Sequence, residues 1–308
     1  MNIRDLKYLV AIADHKHFGQ AAAACFVSQP ALSMQIKKLE NFLGVQLIER
    51  TNKSAMLTET GKMLTEHARE ILHRVENMKD AARQALDPFS GEIQLGIIPT
   101  LAPYLLPRII PELTRQLPDL SIYLIEDKTP HIMQKLTHGK LDAALLALPL
   151  ADENFISLPL FEEEFLLAVP DKNSLSKRKN IRLADLQNKP ILLLEDGHCL
   201  RDQALQVCHL ARATETKGFH ATSLETLRHM VAANIGMTLM PKLAQQSKDG
   251  NYYLPFNAPK PSRVIGLTWR PTSAKRVLLE HMVTLIRKSL RKQNEVKVIN
   301  TPIPCRKS

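Results

Sequence analysis

Cysteine, glycine and long apolar runs are scarce in this chain. Its 308 residues include four cysteines and eleven glycines. No stretch approaches the ~18 consecutive apolar residues that span a bilayer. The N-terminus, "MNIRDLKYLV", carries charges where a secretory signal needs an apolar core. These absences predict a cytoplasmic protein without a membrane segment, in which a permanent disulfide is not expected.

Motifs of catalysis and cofactor binding are also missing. The sequence contains no phosphate-cradling G-x-x-x-x-G-K, no G-x-S-x-G and no C-x-x-C. Its eleven histidines are scattered, as is usual for surface or core histidines. We therefore expect neither an enzyme nor a protein with a resident cofactor or metal.

Positive charge is in excess, with a formal net charge of +10. Such an excess favours a polyanionic partner. Residues 287–308 hold seven basic residues against Glu295 alone, a net charge of +6. Because this segment also contains Pro302 and Pro304 and little to bury, we predict that 291–308 is a disordered basic tail with an exposed Cys305.

Short amphipathic helices are predicted at the N-terminus. Apolar residues recur at helical spacing over 3–14, and a second apolar helix follows Phe18. Ser28 is a suitable N-cap for a third helix, and Pro30 suits its first turn. Two helices joined by a tight turn, the second polar outward near its N-terminus, describe a helix-turn-helix.

The third helix has one apolar and one polar face. Leu32, Ile36 and Leu39 are spaced four and three apart and form the buried face. Short polar side chains can reach base edges, and lysines can neutralise phosphates. The polar face carries Gln29, Ser33, Gln35, Lys37 and Lys38. A short hairpin or wing is predicted next, with Arg50 and Lys53 placed to meet phosphates. From amphipathicity alone, a plain helical subdomain is an equal alternative.

A long helix with a heptad seam follows. Thr58 can cap a helix that runs to about Leu86. Apolar residues then recur at alternating spacings of four and three, the pattern of helices that pair. The seam consists of Leu64, Ala68, Ile71, Val75, Met78 and Ala82. We predict a dimer contact along 59–87, with packing on its own domain as the alternative. A break at 88–91 begins a hinge.

Short apolar runs alternate with helical segments from Glu92 onward, as in "IQLGII", "SIYLIE", "LDAALLAL", "FLLAV" and "PILLLE". This alternation predicts a mainly parallel sheet with helices on both faces. We divide 92–290 into subdomain I (about 92–162 and 265–290) and subdomain II (about 163–264). Ligands of such folds lie in the crevice beyond the strand ends.

Two of the four cysteines lie in one polar stretch, "EDGHCLRDQALQVCHL" at 195–210. A helix start is predicted at Cys199, where the helix N-terminus and nearby cations such as Arg201 would lower the thiol pKa. Three interpretations stay open: inert buried thiols, as we expect of Cys25, a redox pair, or a metal site. The metal site would use His198, Cys199, Cys208 and His209, whose spacing matches no usual zinc motif.

The spacing of these two cysteines has a geometric consequence. If 199–208 is helical, their Cα atoms lie roughly 13.5 Å apart. A disulfide tolerates only about 7 Å between Cα atoms. A redox pair would therefore require local unfolding before the two sulfurs could join.

The run "FGQAAAACFVSQPALSMQIKKLENFLGVQLIERTNK", with the later "LTETG", resembles the N-terminal domain of LysR-type transcriptional regulators. The half beyond residue 92 resembles the effector domains of that family, which are similar to periplasmic binding proteins. The resemblance implies a winged helix-turn-helix at 1–58, a long linker helix and a C-terminal α/β effector domain of two subdomains. It also implies binding to double-stranded promoter DNA, dimers or tetramers, and contact with RNA polymerase.

The same resemblance implies roles for individual residues of the N-terminal domain. Base contacts are expected from Gln29, Pro30 and Ser33. Phosphate contacts are expected from Lys37, Arg50 and Lys53. Ser28 and Gln35 complete the predicted DNA-binding set.

A second group of segments narrows the resemblance to the peroxide-sensing members of the LysR type. These segments are "MNIRDLKYLVAIADHKHF", "GIIPTLAPYLLPRIIP", "LEDGHCLRDQALQVC" and "ATSLETLRHMVAA". The similarity implies that Cys199 reacts with hydrogen peroxide, that Cys208 resolves it as a disulfide, and that oxidative-stress genes are controlled. Supporting roles are implied for Thr100, Thr129, His198, Asp202 and Arg263. The chain departs from the pattern at Gly218, where such proteins can carry a histidine; His220 occurs nearby.

Other functions remain alternatives at this point. A LysR-type regulator could instead respond to a small metabolite bound between the effector subdomains. A solute-binding protein or a thiol peroxidase would share part of the pattern. The missing signal sequence opposes the solute-binding protein, and the "VSQPALSMQIKKLE" helix opposes both.

Overall fold

The computed structural model describes residues 1–50, 55–84, 87–152, 154–291 and 293–302. The chain divides into two compact units, Met1–Ala85 and Leu86–Ser308. Within the described ranges, no helix has both the length and the apolar character needed to cross a membrane.

The N-terminal unit is helical with a small hairpin. Its helices are α1 (Ile3–His15), α2 (Phe18–Ala24), α3 (Gln29–Leu43) and α4 (Glu59–Gln84), and its antiparallel strands are β1 (Ile48–Arg50) and β2 (Ala55–Leu57). The predicted cap of α3 is confirmed, because Ser28 Oγ accepts a hydrogen bond from Ala31 N at 3.3 Å. Gly44 ends the helix with a φ of 70°.

One apolar core holds these helices together. The predicted buried face of α3 is confirmed, because Leu32, Ile36 and Leu39 are all at most 2% exposed. They pack with Leu9 and Ile12 of α1 in the same cluster. The opposite face of α3 is thereby left at the surface.

The hairpin is anchored to α3 through a carboxylate. Glu40 Oε1 accepts hydrogen bonds from Leu47 N at 2.9 Å and Ile48 N at 3.1 Å. These bonds hold the start of β1 against the C-terminal part of α3. The predicted wing residue Lys53 and the side chain of Arg50 lie outside the described residues.

Helix α4 begins where predicted, with Thr58 Oγ1 accepting from a backbone N–H of its first turn at 2.9 Å. Its seam is not uniform. Leu64 and Ala68 pack into the core of their own unit, and Ala68 is 1% exposed. A dimer contact through Ala68 is therefore wrong, because the protein's own core already covers it. Ile71 and Met78 are 42% and 70% exposed and remain accessible.

The C-terminal unit contains a sheet with helices packed against it. Its helices are α5 (Ala102–Gln116), α6 (Thr129–Thr137), α7 (Cys199–Ala211), α8 (Leu224–Ala232) and α9 (Arg276–Leu290). Its strands are β3 (Gly91–Ile97), β4 (Leu120–Glu126), β5 (Ala143–Leu148), β6 (Ile156–Pro170), β7 (Pro190–Leu194), β8 (Thr214–Ala221), β9 (Thr238–Pro241), β10 (Asn251–Pro255), β11 (Ser262–Trp269) and β12 (Lys297–Val298). Each predicted apolar run overlaps one of the strands β3 to β7.

The main sheet is mixed, so the prediction of a mainly parallel sheet is wrong. Its strand order is β10-β6-β11-β5-β3-β4, and β9 and β12 also pair with β6. β3 pairs in parallel with β4 and β5, whereas β11 is antiparallel to β5 and β6. Alternating strands and helices indicate local crossovers, but they do not reveal the direction of a strand such as β11 that returns from far along the chain. β7 and β8 form a separate parallel pair.

The interior of this unit is divided between separate apolar clusters. The largest, here called the α5–α9 core, includes Leu105, Leu145 and Met282. A second, here called the α7 core, includes Val207 and Phe256. The α7 helix therefore contacts both of these separate apolar clusters, the α5–α9 core through Cys199 and the α7 core through Val207 and Cys208.

The segment 293–302 is not a disordered tail. Its strand β12 pairs antiparallel with β6, which places Val298 opposite Phe161. Val296 and Val298 pack against the α5–α9 core. The tail prediction is wrong here because two valines and an available strand edge outweigh the polar composition. Cys305 lies outside the described residues.

Candidate redox site and DNA-facing helix

Helix α7 carries both central cysteines. It begins at Cys199, as predicted, directly after the loop 195–198 that follows β7. His198 occupies the N-cap position, and Gly197 has a φ of 88°. Glycine adopts this left-handed conformation without a steric penalty. The loop can therefore turn into the helix and place the Cys199 side chain at its first residue.

A crevice of about 490 Å³ opens beside Cys199. Cys199, Asp202 and Gln203 of α7 line it, together with Arg263 of β11 and the strand-end residues 147–149. Cys199 is half-buried as a residue, and protein atoms surround most of its thiol. The crevice is therefore the side on which Cys199 borders open space.

A buried ion pair holds one wall of the site. Arg263 Nε donates to Glu163 Oε2 at 2.7 Å, and neither side chain is accessible to solvent. The other Glu163 oxygen accepts from Leu243 N at 2.8 Å. Arg263 also donates to Thr100 Oγ1 and to the Thr100 carbonyl, both at 3.2 Å. The structure thus brings together the predicted site residues Thr100 and Arg263, in one fixed orientation.

Burial raises the pKa of the Cys199 thiol and outweighs the positive charge of Arg263, which lowers it. The carboxylate of Asp202 adds to the rise. The expectation of a lowered pKa is therefore wrong for the resting protein, since the buried thiol stays protonated. The sequence neighbour Arg201 is engaged elsewhere, donating to Glu215 Oε1 at 2.7 Å. The cation that acts on the sulfur comes from a distant strand instead.

Three buried polar atoms of the site have no hydrogen-bond partner among the described residues: Thr129 Oγ1, His198 Nε2 and Gln203 Oε1. The Thr129 hydroxyl is close enough to Cys199 to lower its pKa, although the geometry falls short of a full hydrogen bond. His198 Nε2 is 4.0 Å from Glu195 Oε1, too far for one. Burial lowers the pKa of His198, so its imidazole is neutral near pH 7. Unsatisfied buried groups of this kind suit a small polar ligand.

Cys208 lies in a different environment. It is 4% exposed and belongs to the α7 core. Burial raises the pKa of this thiol to about 11, and the charge of Glu215 contributes to the rise. Cys208 is therefore protonated and shielded while α7 is intact.

The two thiols lie on opposite faces of one continuous helix. Nine residues of α-helix advance roughly 13.5 Å and rotate by about 180°. Both cysteines are free thiols, and a disulfide would need Cα atoms within about 7 Å. The predicted barrier to direct pairing is confirmed. The same geometry excludes a single metal site built from His198, Cys199, Cys208 and His209.

An ion pair between Lys128 and Glu195, which the sequence did not predict, lies beside the site. Lys128 Nζ donates to Glu195 Oε1 and to the Asp196 carbonyl, the latter at 3.1 Å. Lys128 precedes Thr129 at the start of α6, whereas Glu195 belongs to the loop before Cys199. The partners are 67 residues apart in sequence, so no local pattern could indicate the contact.

Gly218, the departure from the peroxide-sensing pattern, lies in β8 with a φ of 78° and open space around its missing Cβ. The pairing of β8 with β7 is irregular at this point. His220 is exposed, with its Nδ1 3.9 Å from Glu215 Oε1. The left-handed backbone explains the glycine, and His220 contacts the carboxylate that also holds Arg201.

The polar face of α3 divides into exposed and occupied residues. Gln29, Pro30 and Lys37 are exposed, and Ser33 is half-buried. Gln35 Nε2 donates to Asp5 Oδ1 at 2.8 Å, which ties α3 to α1. This bond gives Gln35 a structural contact, and its role at DNA stays a prediction, as do those of the exposed residues.

The helix-turn-helix unit and the two-thiol effector unit together define a LysR-type regulator. The profile of bacterial regulatory helix-turn-helix proteins of the lysR family matches residues 3–62, and that of the LysR substrate binding domain matches 87–291. The chain is 49% identical over 290 residues to the DNA-binding transcriptional dual regulator OxyR of Escherichia coli (strain K12), covering 93% of this chain and 95% of the relative. It is 44% identical over 289 residues to the hydrogen peroxide-inducible genes activator of Haemophilus influenzae, covering 93% and 96%.

Solved structures show the same relationship. A full-length OxyR variant from Pseudomonas aeruginosa superposes with a TM-score of 0.76 at 34% identity, covering 93% of this chain and 98% of that one. An OxyR variant from Corynebacterium glutamicum, solved with hydrogen peroxide bound, has a TM-score of 0.66 at 32% identity, covering 94% and 93%. An oxidised form of OxyR has a TM-score of 0.63 at 46% identity, covering 68% and 100%. The chain belongs to the LysR family, in its OxyR group of hydrogen peroxide-inducible gene activators.

Proposed function

We propose that Cys199 is the thiol that reacts with hydrogen peroxide and that Cys208 resolves it, so that the regulator changes its DNA binding with its redox state. The placement of the two thiols on α7 carries this proposal. One thiol opens on a crevice beside Arg263 and an unsatisfied Thr129 hydroxyl. The other is buried in an apolar core, where peroxide has no access.

The first step oxidises Cys199. Its sulfur attacks one oxygen of hydrogen peroxide, an S–O bond forms and the O–O bond breaks. The thiol proton leaves with the departing hydroxide as water, and the cysteine becomes a sulfenic acid. The charge of Arg263 stabilises the thiolate as it forms. The hydroxyls of Thr100 and Thr129 hold the peroxide oxygens, and the neutral imidazole of His198 assists proton movement.

The second step forms the disulfide. The Cys208 sulfur attacks the Cys199 sulfenic sulfur, an S–S bond forms, and the S–O bond breaks with release of water. Because intact α7 keeps the sulfurs apart, the helix must open between them. The chain then has two conformations, one with both thiols free and one with the disulfide. These conformations present different surfaces.

DNA recognition falls to the exposed face of α3. Gln29, Pro30 and Ser33 read base edges, while Lys37 and the wing residues Arg50 and Lys53 meet phosphates, as the family resemblance implies. Ser28 caps the helix that presents them. Base contacts carry the discrimination between sequences, and phosphate contacts carry the salt dependence.

Assembly brings two reading units together. The accessible part of the α4 seam, Ile71, Val75 and Met78, pairs two chains, and pairs of dimers give a tetramer. A two-fold assembly matches a two-fold related DNA site. RNA polymerase is the further partner, the chain turns over no substrate, and its location is the cytoplasm.

A small metabolite in the crevice is the second candidate signal. The volume of about 490 Å³ and the mixed polar and apolar lining favour it. Such a ligand would act without oxidising either cysteine. If promoter binding by a Cys199→Ser variant still changed under inducing conditions, that result would support this candidate.

Footprinting of the promoter beside its own gene tests the proposed function. The full chain is compared in dithiol form and after peroxide treatment, with the cysteine state read by mass spectrometry. We expect the protected region to change together with the appearance of a Cys199–Cys208 disulfide. An unchanged footprint in the presence of that disulfide would contradict the link between thiols and DNA.

A further inference from the structure

Lys128 is a charged side chain that the peroxide chemistry does not use, yet it contacts the loop that carries Cys199. Its Nζ donates to Glu195 Oε1 and to the Asp196 carbonyl. Lys128 is the N-cap residue of α6, and Thr129 is the first residue of that helix. One turn of chain therefore supplies both the hydroxyl that faces the thiol and the ammonium group that holds the loop.

The anchor side of this contact is well fixed. The Lys128 carbonyl accepts from Ile132 N at 3.0 Å, and its N–H donates to Asp127 Oδ1 at 2.8 Å. The lysine stem also packs closely on the loop, since a Cβ added to Gly197 would come within 3.1 Å of Lys128 Cδ. If this contact breaks, we therefore expect the loop 195–198 to move away from α6, while Lys128 stays in place.

Resting on the proposed function, we propose that Lys128 is a positioning residue for the redox reaction. Its ion pair with Glu195 holds the loop 195–198 in the dithiol arrangement and must break before Cys199 can reach Cys208. The Cα atoms must approach from roughly 13.5 Å to about 7 Å, and Cys199 directly follows the held loop. Lys128 thereby slows the resolving step and favours the dithiol form.

Lys128 acts on the loop and not on the sulfur. The charge that lowers the pKa of Cys199 most is that of Arg263. Removing the lysine charge therefore leaves the reactivity of the thiol with peroxide nearly unchanged. This separates the proposed role from that of a residue that activates the thiol.

The test compares Lys128→Gln with a matched control, Lys260→Gln. Lys260 and Glu164 form an ion pair at 2.9 Å whose side chains are 45% and 33% exposed, against 30% and 35% for Lys128 and Glu195. Sulfenic acid formation is measured by rapid mixing in a Cys208→Ser background. Disulfide formation is measured in the full chain by thiol trapping and mass spectrometry. The dithiol–disulfide equilibrium is measured against a glutathione buffer.

We expect Lys128→Gln to form sulfenic acid within about twofold of the unmodified rate, and to form the disulfide about three- to tenfold faster. The glutathione equilibrium should shift toward the disulfide by a similar factor. Lys128→Arg should behave as the unmodified chain. Glu195→Gln should reproduce most of the effect of Lys128→Gln, since it removes the ion pair but leaves the bond from Lys128 to the Asp196 carbonyl. The double variant should add little to Lys128→Gln, because both changes remove the same ion pair.

Two outcomes overturn the inference. In one, Lys128→Gln matches Lys260→Gln in both the disulfide rate and the glutathione equilibrium. In the other, only sulfenic acid formation changes, so that the lysine acts on the thiol. Failure of the proposed function itself looks different, because the unmodified chain would then form no Cys199–Cys208 disulfide with peroxide at all.

Discussion

The two ends of helix α7 place the same side chain in opposite settings. At the N-terminal end, Cys199 opens on a crevice beside Arg263 and the unsatisfied hydroxyl of Thr129. At the C-terminal end, Cys208 is 4% exposed, packs among apolar side chains and lies near the negative charge of Glu215. Burial raises the pKa of both thiols, so their difference is not simply that of an activated and an inert group.

Under the proposed function, this difference means that access and nearby charge select the reacting thiol. Of the two thiols of α7, Cys199 lines the crevice and is acted on by the positive charge of Arg263, whereas Cys208 has neither feature. In the proposed scheme, Cys208 takes part only when α7 opens and removes it from the apolar core. The helix is thus both the support of the reactive thiol and the barrier to its partner.

The largest expected effect comes from replacing each of the two cysteines with serine in separate variants. Cys199→Ser should form no sulfenic acid, whereas Cys208→Ser should form it at Cys199 at about the unmodified rate without an internal disulfide. Trapping with a sulfenic-acid reagent and mass spectrometry distinguishes the variants. Labelling of Cys208 in place of Cys199 would reverse the comparison.

A second test removes the cation from the Cys199 end. Arg263→Met should slow oxidation of Cys199 by roughly tenfold to hundredfold. It also leaves Glu163 buried and unpaired, at about 3–5 kcal/mol of stability. The double variant Arg263→Met with Glu163→Gln should recover stability but not the rate, as read by thermal melts and stopped-flow oxidation. Recovery of the rate as well would assign the loss to misfolding.

The Cys208 end is tested by raising the pH. Its pKa in the folded protein is about 11 against an ordinary value of 9.0, so the stabilisation is fully present below pH 9 and is lost as the pH rises to 11. The loss should be about 2–3 kcal/mol relative to Cys208→Ala, which lacks this titration. Denaturant unfolding of both proteins at pH 8 to 11 measures it. Parallel curves would show that the pKa of Cys208 is the same in the folded and unfolded protein, so that burial does not raise it.

The smallest expected effect concerns Gly218, which belongs to β8. Gly218→Ala places a side chain at a φ of 78°, at an expected cost of about 1–2 kcal/mol in stability. The open space around the position leaves no steric route to either thiol. Oxidation and disulfide rates should therefore stay near those of the unmodified chain. A marked change in either rate would show that β8 adjusts the reactive end of α7.

Local patterns were sufficient for elements that depend on neighbouring residues. The cap at Ser28, the buried face of α3 and the start of α7 at Cys199 all follow from spacing and capping within a few residues. The separation of Cys199 from Cys208 follows in the same way, because helical rise converts nine residues into a distance. The apolar runs likewise gave the strands, though not their directions.

Tertiary structure alone decided which groups meet. The positive charge of Arg263 acts on the thiol from β11, and Lys128 contacts Glu195 across 67 residues of sequence. Burial reversed the expected pKa shift of Cys199, because desolvation depends on atoms from every surrounding element. The ordering of 293–302 against β6 depended on an available strand edge in the same way. Sequence by itself determined the elements and the two thiols, and the folded chain determined the charges and surfaces that distinguish them.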